Sequence, residues 1–515
     1  MNFSMNNKQS WLQRIPVHPL FFAVYPILAL LAFNETELNA SAGIRSLLLS
    51  LALAVLLFLI ARWFFQDSMQ AALLSSALLI VFYSYGHIYN LLNGITIAGL
   101  NLFRHRTLIP LWLLLAVLMV WWVSRKSKHI TTLTYMLNLI GLVLLILPVF
   151  QLISFFVQSR ISAASTEDGP STLNLKPGEN PPDIYYFILD GYGRSDVLKS
   201  YGYDNSPFLN SLRDLGFVVA ECAQSNYAQT KLSLSSSLNF NYLDALSERF
   251  AAGSDDRTGL ATFIHLSTVR RSLEKAGYKT VGFASGYPMT ELTDAEYYLA
   301  PKNSSWQPND FETLLLRTTL ARVIHDQDAS EDAEMPNSDP SLSRERTLFT
   351  LEQLGQVPYL KGPKFVFVHL VIPHPPFVFG PTGGPREPAQ PGLTRTEQSE
   401  IFYRDQAIYI SSRIMEIVPQ LIANSARPPV IVIQGDHGPT TPSASRERMK
   451  ILNAYFLPGV DAQIEPTITP VNTFRIIFNA YFGQHLELLD DVSLYSTYRH
   501  PFDYRVIPNT CTPTD

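Results

Sequence analysis

Five apolar runs fill the first 157 residues of the chain: 16–33, 46–65, 71–92, 107–123 and 133–157. Each is about long enough to cross a hydrocarbon core of roughly 30 Å as a helix rising 1.5 Å per residue. Short polar connections separate the runs, and few charges fall inside them. Backbone at membrane depth must satisfy its own hydrogen bonds, so the pattern predicts five transmembrane helices. A cleaved signal peptide accounts for one such run, not five.

Charge divides the chain at the same place. Of 39 Lys+Arg and 44 Asp+Glu residues, 9 and 3 lie within residues 1–157, which leaves 30 and 41 for the rest. The first part is sparse in charge and net positive. The second is acidic, with the charge density of a soluble globular protein. An acidic outer part excludes nucleic acid as a natural partner, because phosphate binding needs a basic face. Lys8, Arg14, Arg62, Arg125, Lys126 and Lys128 fall on the side of the N-terminus, against Arg45, Arg104 and Arg106 on the other. The positive-inside rule then predicts a cytoplasmic N-terminus in a plasma or inner membrane, with everything after residue 157 outside the cytoplasm. His87 and Asn90, near the outer end of the third run, read as structural residues at the interface.

The expected organisation is a transmembrane domain over 1–160, a linker over 161–183 rich in Ser, Thr, Gly, Pro and Asn, a catalytic domain over 184–501 and a tail over 502–515. Short β-branched and aromatic runs at 184–189, 278–284, 365–371 and 430–434 read as buried strands. Helical patterns at 206–216 and 396–424 lie between them. The second is amphipathic, with Ile401, Ile408, Met415 and Ile422 on one face, and Pro419 is expected to kink it or end it early. Alternating strands and helices predict an α/β domain with a mainly parallel sheet covered by helices. Residues 326–344 and 380–392 read as surface loops. Cys222 and Cys511 both fall outside the cytoplasm, where a disulfide is permitted; the sequence leaves their pairing open.

Ligands of open α/β sheets gather at the carboxyl ends of the strands. Asp190 follows the run 184–189, His374 follows 365–373, and Asp436 with His437 follows 430–435. A lone Asp at a strand end is commonly a turn or cap residue. Three strand ends carrying Asp, His and Asp-His point instead to a metal centre. Carboxylates with imidazoles suit Mn²⁺, Zn²⁺ or Mg²⁺, and an oxygen-rich set leans toward Mn²⁺ or Mg²⁺. His369 lies inside its strand and reads as buried. Residues 229–239 form a hydroxyl-rich segment that reads either as a capped helix start or as the site of a nucleophile in the positive field of a helix N-terminus. Arg446, Arg448 and Lys450 read equally as a solvated basic turn or as an anion hold.

These residues resemble the alkaline phosphatase superfamily in its sulfatase-like branch, over roughly residues 182–501. Ile188-Leu189-Asp190-Gly191 is similar to the first metal-binding strand end, Gly435-Asp436-His437-Gly438 to the Asp-His-Gly signature, Pro373-His374-Pro375 to the substrate loop, and Thr230-Lys231-Leu232-Ser233 to the nucleophile segment. Five spans followed by an external catalytic domain is also the layout of lipoteichoic acid synthases and phosphoethanolamine transferases. The resemblance implies an alkaline-phosphatase-like fold and one divalent metal, Mn²⁺ or Mg²⁺ with Zn²⁺ or Ca²⁺ as alternatives. Its implied ligands are Asp190, Thr230, Asp436 and His437. Thr230 is the implied nucleophile, and His374 the group that binds the transferred moiety or protonates the leaving oxygen, with His369 the other candidate for that task. Cys222 lacks the Pro and Arg of a formylglycine motif and Thr230 cannot be so converted, so transfer of a phospho-group is favoured over sulfate-ester hydrolysis. The implied reaction moves a phosphoglycerol- or phosphoethanolamine-type group from membrane lipid to envelope glycan, lipid or water. The alternatives are a tethered sulfate or phosphate ester hydrolase and an inactive envelope assembly factor.

Overall fold

The protein is described here by a computed structural model, which describes residues 15–34, 40–92, 95–97, 100–101, 104–125, 130–164, 172–254, 257, 259–302, 310–323, 340–439 and 447–512. The chain divides into two compact units. One comprises Met1–Val157 and Gln307–Asn337, the other Gln158–Trp306 and Ser338–Asp515. Within the first unit, the described part of the later segment is residues 310–323.

The first unit holds helices α1 (His18–Phe33), α2 (Ile44–Phe65), α3 (Ser68–Leu92), α4 (His105–Ser124) and, as far as Val157, α5 (Ile130–Ala164). Four of them, α2 to α5, are long and apolar enough to cross a membrane. The first expected span is shorter: α1 has 16 residues, starting on Pro19 in its first turn and ending where the Asn34 N–H caps the Leu30 and Leu31 carbonyls. Large apolar side chains point outward, Trp63 being 75% exposed. Polar side chains turn inward and link helices. Ser50 donates to the Ala23 carbonyl at 2.7 Å and accepts from Tyr83 at 2.5 Å. Asn138 accepts from the Val17 and His18 N–H groups.

The helix Asp310–Thr318 completes this unit. Phe311 and Leu315 pack with Ala23, Ile27 and Leu31 of α1, Ala54 of α2 and Leu79 and Tyr83 of α3. Glu312 accepts a two-pronged hydrogen bond from Arg45, with Nε at 2.6 Å. Just beyond the helix, the Leu320 N–H donates to the Phe82 carbonyl, and Arg322 donates to Asn90, giving Asn90 the structural role expected of it. Gly86 has to be glycine, because a Cβ there would collide with the Arg317 and Thr318 backbone. Of the expected loop over 326–344, residues 324–339 lie outside the described residues, whereas Pro340 onward is helical in Pro340–Gln353.

The second unit is built on a seven-stranded sheet. Its strands are β1 (Ile184–Leu189), β2 (Val218–Val219), β3 (Lys279–Phe283), β4 (Tyr297–Leu299), β5 (Lys364–Leu370), β6 (Val430–Gln434) and β7 (Asn453–Phe456). They lie in the order β2-β7-β6-β1-β5-β3-β4. Every pairing from β6 to β4 is parallel, and β7 runs antiparallel to both neighbours. The mainly parallel sheet is therefore as expected. Both faces are covered, which explains the near-continuous apolar runs. Tyr186, Ile188, Phe365, Phe367 and Val432 join one core; Tyr185, Phe187, Val366, Val368 and Ile433 join the other.

Helices α6 (Ser206–Asp214), α7 (Thr230–Ser237), α8 (Arg395–Asn424) and α9 (Thr473–Phe482) flank the sheet. Helix α8 begins on a capping box between Thr394 and Glu397 and runs through Pro419 to Asn424. Ile414, Ile417, Val418 and Leu421 bury that stretch in the core, and this packing offsets the one hydrogen bond that Pro419 removes. Cys222 and Cys511 form a disulfide that ties the C-terminal tail to the loop before α7. The tail is further held by pairing of Arg505–Val506 with Leu494–Tyr495 and by buried Phe502.

Candidate metal centre

Parallel strands β1, β5 and β6 lie side by side, so the residues at their carboxyl ends meet. The register aligns Ile188 with both His369 and Gln434. The chain then supplies Asp190 one residue past β1, His374 after β5, and Asp436 and His437 after β6. Asp190, His374 and His437 form one group of potential metal donors, and Asp190, His369 and Asp436 form another. Asp190 belongs to both.

Asp436 and the three histidines are each oriented by a second partner, and that partner decides which atom faces the site. One oxygen of Asp436, Oδ1, accepts from the Gly191 N–H at 3.0 Å and the His437 N–H at 2.9 Å. The other, Oδ2, is buried without a hydrogen-bond partner among the described residues, as are Asp190 Oδ1 and His369 Nε2. His437 Nδ1 lies 2.7 Å from the Gly438 carbonyl and His374 Nδ1 lies 2.6 Å from the Pro375 carbonyl. A carbonyl can only accept, so both Nδ1 atoms carry the proton and both Nε2 atoms keep a lone pair. His369 Nδ1 meets Thr290 Oγ1 at 2.7 Å, and that hydroxyl has the Tyr287 carbonyl to donate to. The same tautomer follows. Three imidazoles thus present Nε2 toward two carboxylates, the arrangement of metal-binding histidines held by an outer partner.

Distances within the cluster match this reading. His437 Nε2 is 3.5 Å from Asp190 Oδ1 and 3.6 Å from Asp436 Oδ2; His369 Nε2 is 3.4 Å from Asp190 Oδ2. Burial alone would raise the Asp190 carboxyl, but His374, His369 and His437 outweigh it and hold the group below the ordinary carboxylate range. Burial also lowers His437, which keeps its imidazole neutral at pH 7 and free to ligate. Leaving several buried lone pairs without donors costs free energy, and a divalent cation at their focus removes that cost. The residues present therefore fit a metal ion.

Thr230 opens α7 and is buried, with Oγ1 3.3 Å from His437 Nε2. The structure thus brings all five expected residues together: Asp190, Thr230, His374, Asp436 and His437. It adds His369, which the sequence offers as a second candidate beside His374 but which reads first as a buried strand residue. His369 is indeed buried, and its neighbours are carboxylates. The signal available was chemical: an imidazole next to the carboxyl end of a strand whose neighbour β1 leads into Asp190. Arg446 lies outside the described residues. Lys450 pairs with Asp196 at 2.8 Å, away from the donor atoms.

No protein-family model and no curated protein sequence matches the chain. Solved structures do. The C-terminal periplasmic domain of EcEptC from Escherichia coli, in complex with Zn, aligns over 62% of this chain and 88% of its own, at 14% identity and a TM-score of 0.41. The integral membrane protein lipooligosaccharide phosphoethanolamine transferase A from Neisseria meningitidis aligns over 86% of this chain and 88% of its own, at 13% identity and a TM-score of 0.35. A protein in the alkaline phosphatase superfamily from Vibrio parahaemolyticus aligns over 67% and 81%, at 11% identity and a TM-score of 0.36. The chain is similar to members of the alkaline phosphatase superfamily. At these scores the likeness lends no weight to the chemistry, which rests on the residues of the site.

Proposed function

We propose that the protein is a membrane-anchored, metal-dependent enzyme that moves a phospho-group from a lipid donor to an envelope glycan, a lipid or water. The observation that carries this reading is the convergence of three Nε2 lone pairs and two carboxylates beside the hydroxyl of Thr230. Asp190, Asp436, His437 and Thr230 would hold the metal, with His369 as a further ligand. Two imidazoles among the ligands suit Zn²⁺ or Mn²⁺ better than Mg²⁺. When bound, the ion supplies positive charge that lowers the pKa of the Thr230 hydroxyl and neutralises charge developing on the transferred group.

The chain's own residues then divide the work. Thr230 Oγ1 gives up its proton to the Nε2 lone pair of His374 and attacks phosphorus, and the bond from phosphorus to the leaving oxygen breaks. His374 delivers a proton to that oxygen. An acceptor hydroxyl, or water, then attacks the phospho-threonine and releases Thr230 with its proton restored. The Cys222–Cys511 disulfide supports an oxidising compartment for this unit, in keeping with an extracytoplasmic site. The four long apolar helices support confinement to a membrane, where a lipid donor is at hand.

The test is incubation of the full chain with natural membrane lipid, followed by mass spectrometry of the peptide holding Thr230. A phosphorus-containing adduct on Thr230 is expected, and its mass identifies the group. Thr230→Ala should lower turnover at least a thousandfold while retaining part of the bound metal. Full turnover in that variant sinks the nucleophile assignment. Release of the group to water alone, with no acceptor product, identifies a hydrolase instead.

A further inference from the structure

Two loops carry site residues beyond the strand ends. Asp190 opens the turn 190–193, and His374 lies in the segment 371–379 that follows β5. Backbone without a repeating pattern must still pair its N–H and C=O groups, and where it is buried, side chains can supply the partners. Both loops find such partners on one helix, α8.

Tyr403 and Gln406 stand three residues apart on α8, so they share a face of the helix. Both are buried, Gln406 completely at 0% exposed. Tyr403 serves the first loop. Its hydroxyl donates to the Gly191 carbonyl at 2.9 Å and accepts from the Gly193 N–H at 3.0 Å. Gln406 serves the second. Its Oε1 accepts from the Val378 N–H at 2.8 Å and the Phe379 N–H at 3.3 Å. Its Nε2 donates to the Pro373 and His374 carbonyls, both at 3.3 Å. A side-chain amide has two N–H donors and one oxygen with two lone pairs, so Gln406 spends its whole capacity on one loop. Without those bonds, an amide beside Ala407 and Ile410 of the core would be costly to bury.

The clamp encloses His374. The His374 carbonyl accepts from Gln406, its N–H donates to the Asp190 carbonyl at 3.0 Å, and its ring Nδ1 meets the Pro375 carbonyl at 2.6 Å. The main chain is thereby fixed on both sides of its Cα, and Nε2 is the ring nitrogen presented to the site. We propose that Gln406 is the positioning residue of the proton-transfer step, holding the His374 imidazole where Thr230 and the leaving oxygen can exchange a proton with it. The inference rests on the group-transfer reading above, in which His374 takes the Thr230 proton and delivers one to the leaving oxygen. Such transfer needs heavy atoms about 2.6–3.2 Å apart, and a misplacement of about 1 Å can cost a hundredfold.

The test is a mutant cycle on the full chain, reconstituted in mixed vesicles of phosphatidylethanolamine and phosphatidylglycerol and followed by release of diacylglycerol. Gln406→Met keeps the volume of the side chain and removes all four bonds. It should slow release about a hundredfold, with bound metal unchanged by elemental analysis. His374→Ala should slow release about a hundred- to ten-thousandfold, and adding Gln406→Met to it should slow release no further. Amide hydrogen exchange over 371–379 should quicken in Gln406→Met, with exchange in β6 unchanged. If the methionine variant does not fold, Gln406→Glu takes its place in the cycle, because it keeps the acceptor for Val378 and Phe379 and loses only the donors. Release within twofold of the parent in Gln406→Met overturns the inference and leaves the group-transfer reading standing. A further loss in the double variant, or loss of metal together with release, overturns it in favour of a structural role. No effect of His374→Ala, or no release by the parent, sinks the group-transfer reading and this inference with it.

Discussion

The two units solve burial in opposite directions. In the first, large apolar side chains such as Trp63 face outward, and hydroxyls and amides cross-link the helices. In the second, strands are apolar on both faces, and the lone pairs of Asp190, His369 and Asp436 that lack a hydrogen-bond partner among the described residues sit together at one end of the sheet. The difference follows from the solvent. Lipid gives no hydrophobic drive between helices, so close packing and a few polar links must hold them. Water drives the sheet's core together, and that stability can carry a site that is strained until a ligand arrives.

This contrast predicts that the units respond separately to damage. The largest effect should come from Phe311→Ala. It removes a fully buried ring from the first unit, which should cost about 3 kcal/mol or more. Five of the six tryptophans lie within residues 1–157, so tryptophan fluorescence during thermal unfolding in detergent reads that unit. Bound-metal retention reads the other. A lowered fluorescence transition with unchanged metal release sharpens the comparison; a joint shift breaks it.

Reducing the Cys222–Cys511 bond, or replacing Cys511 by Ser, should act the other way round. The expected loss is about 2–4 kcal/mol in the second unit, with the fluorescence transition unmoved. A fluorescence transition that falls with reduction would contradict this separation.

The smallest effect concerns pH. Burial would raise the half-exposed Asp196 carboxyl, but Arg194 and Lys450 outweigh it and hold the group below its ordinary range. A carboxyl depressed on folding stabilises fully above its unfolded pKa of about 3.9 and loses that contribution as pH falls through the folded value. Asp196→Asn should therefore cost under about 1 kcal/mol at pH 7, given the exposure. The deficit should shrink as pH drops below about 4. A deficit that persists unchanged at pH 2 would mean that the pair contributes through packing alone.

Much of this was legible in the sequence because strands covered on both faces leave a plain mark. The runs 184–189, 365–371 and 430–434 end within a residue of the observed strands, and the residues after them are those of the site. Thr230 was less legible, since a Ser/Thr-rich helix start has a bland explanation, and only the resemblance singled it out. His369 was hidden by its own strand, where alternation makes any residue look like core. Asp310–Thr318 was hidden for another reason: nine amphipathic residues do not state which apolar surface they cover. Pro419 does not end its helix early, because the rule against proline within a helix gives no weight to the packing of the turn around it.

The helix Asp310–Thr318 also sets a timetable. About 150 residues separate Val157 from Gln307. At roughly 5–20 residues per second, the ribosome takes on the order of ten seconds or more to supply them. Through that interval α1 to α3 lack the side chains of Phe311 and Leu315 between them. The bundle is finished late in synthesis by a piece that follows about 150 residues of the second unit in the sequence, so a gene cut after residue 157 encodes an anchor that is still missing a wall.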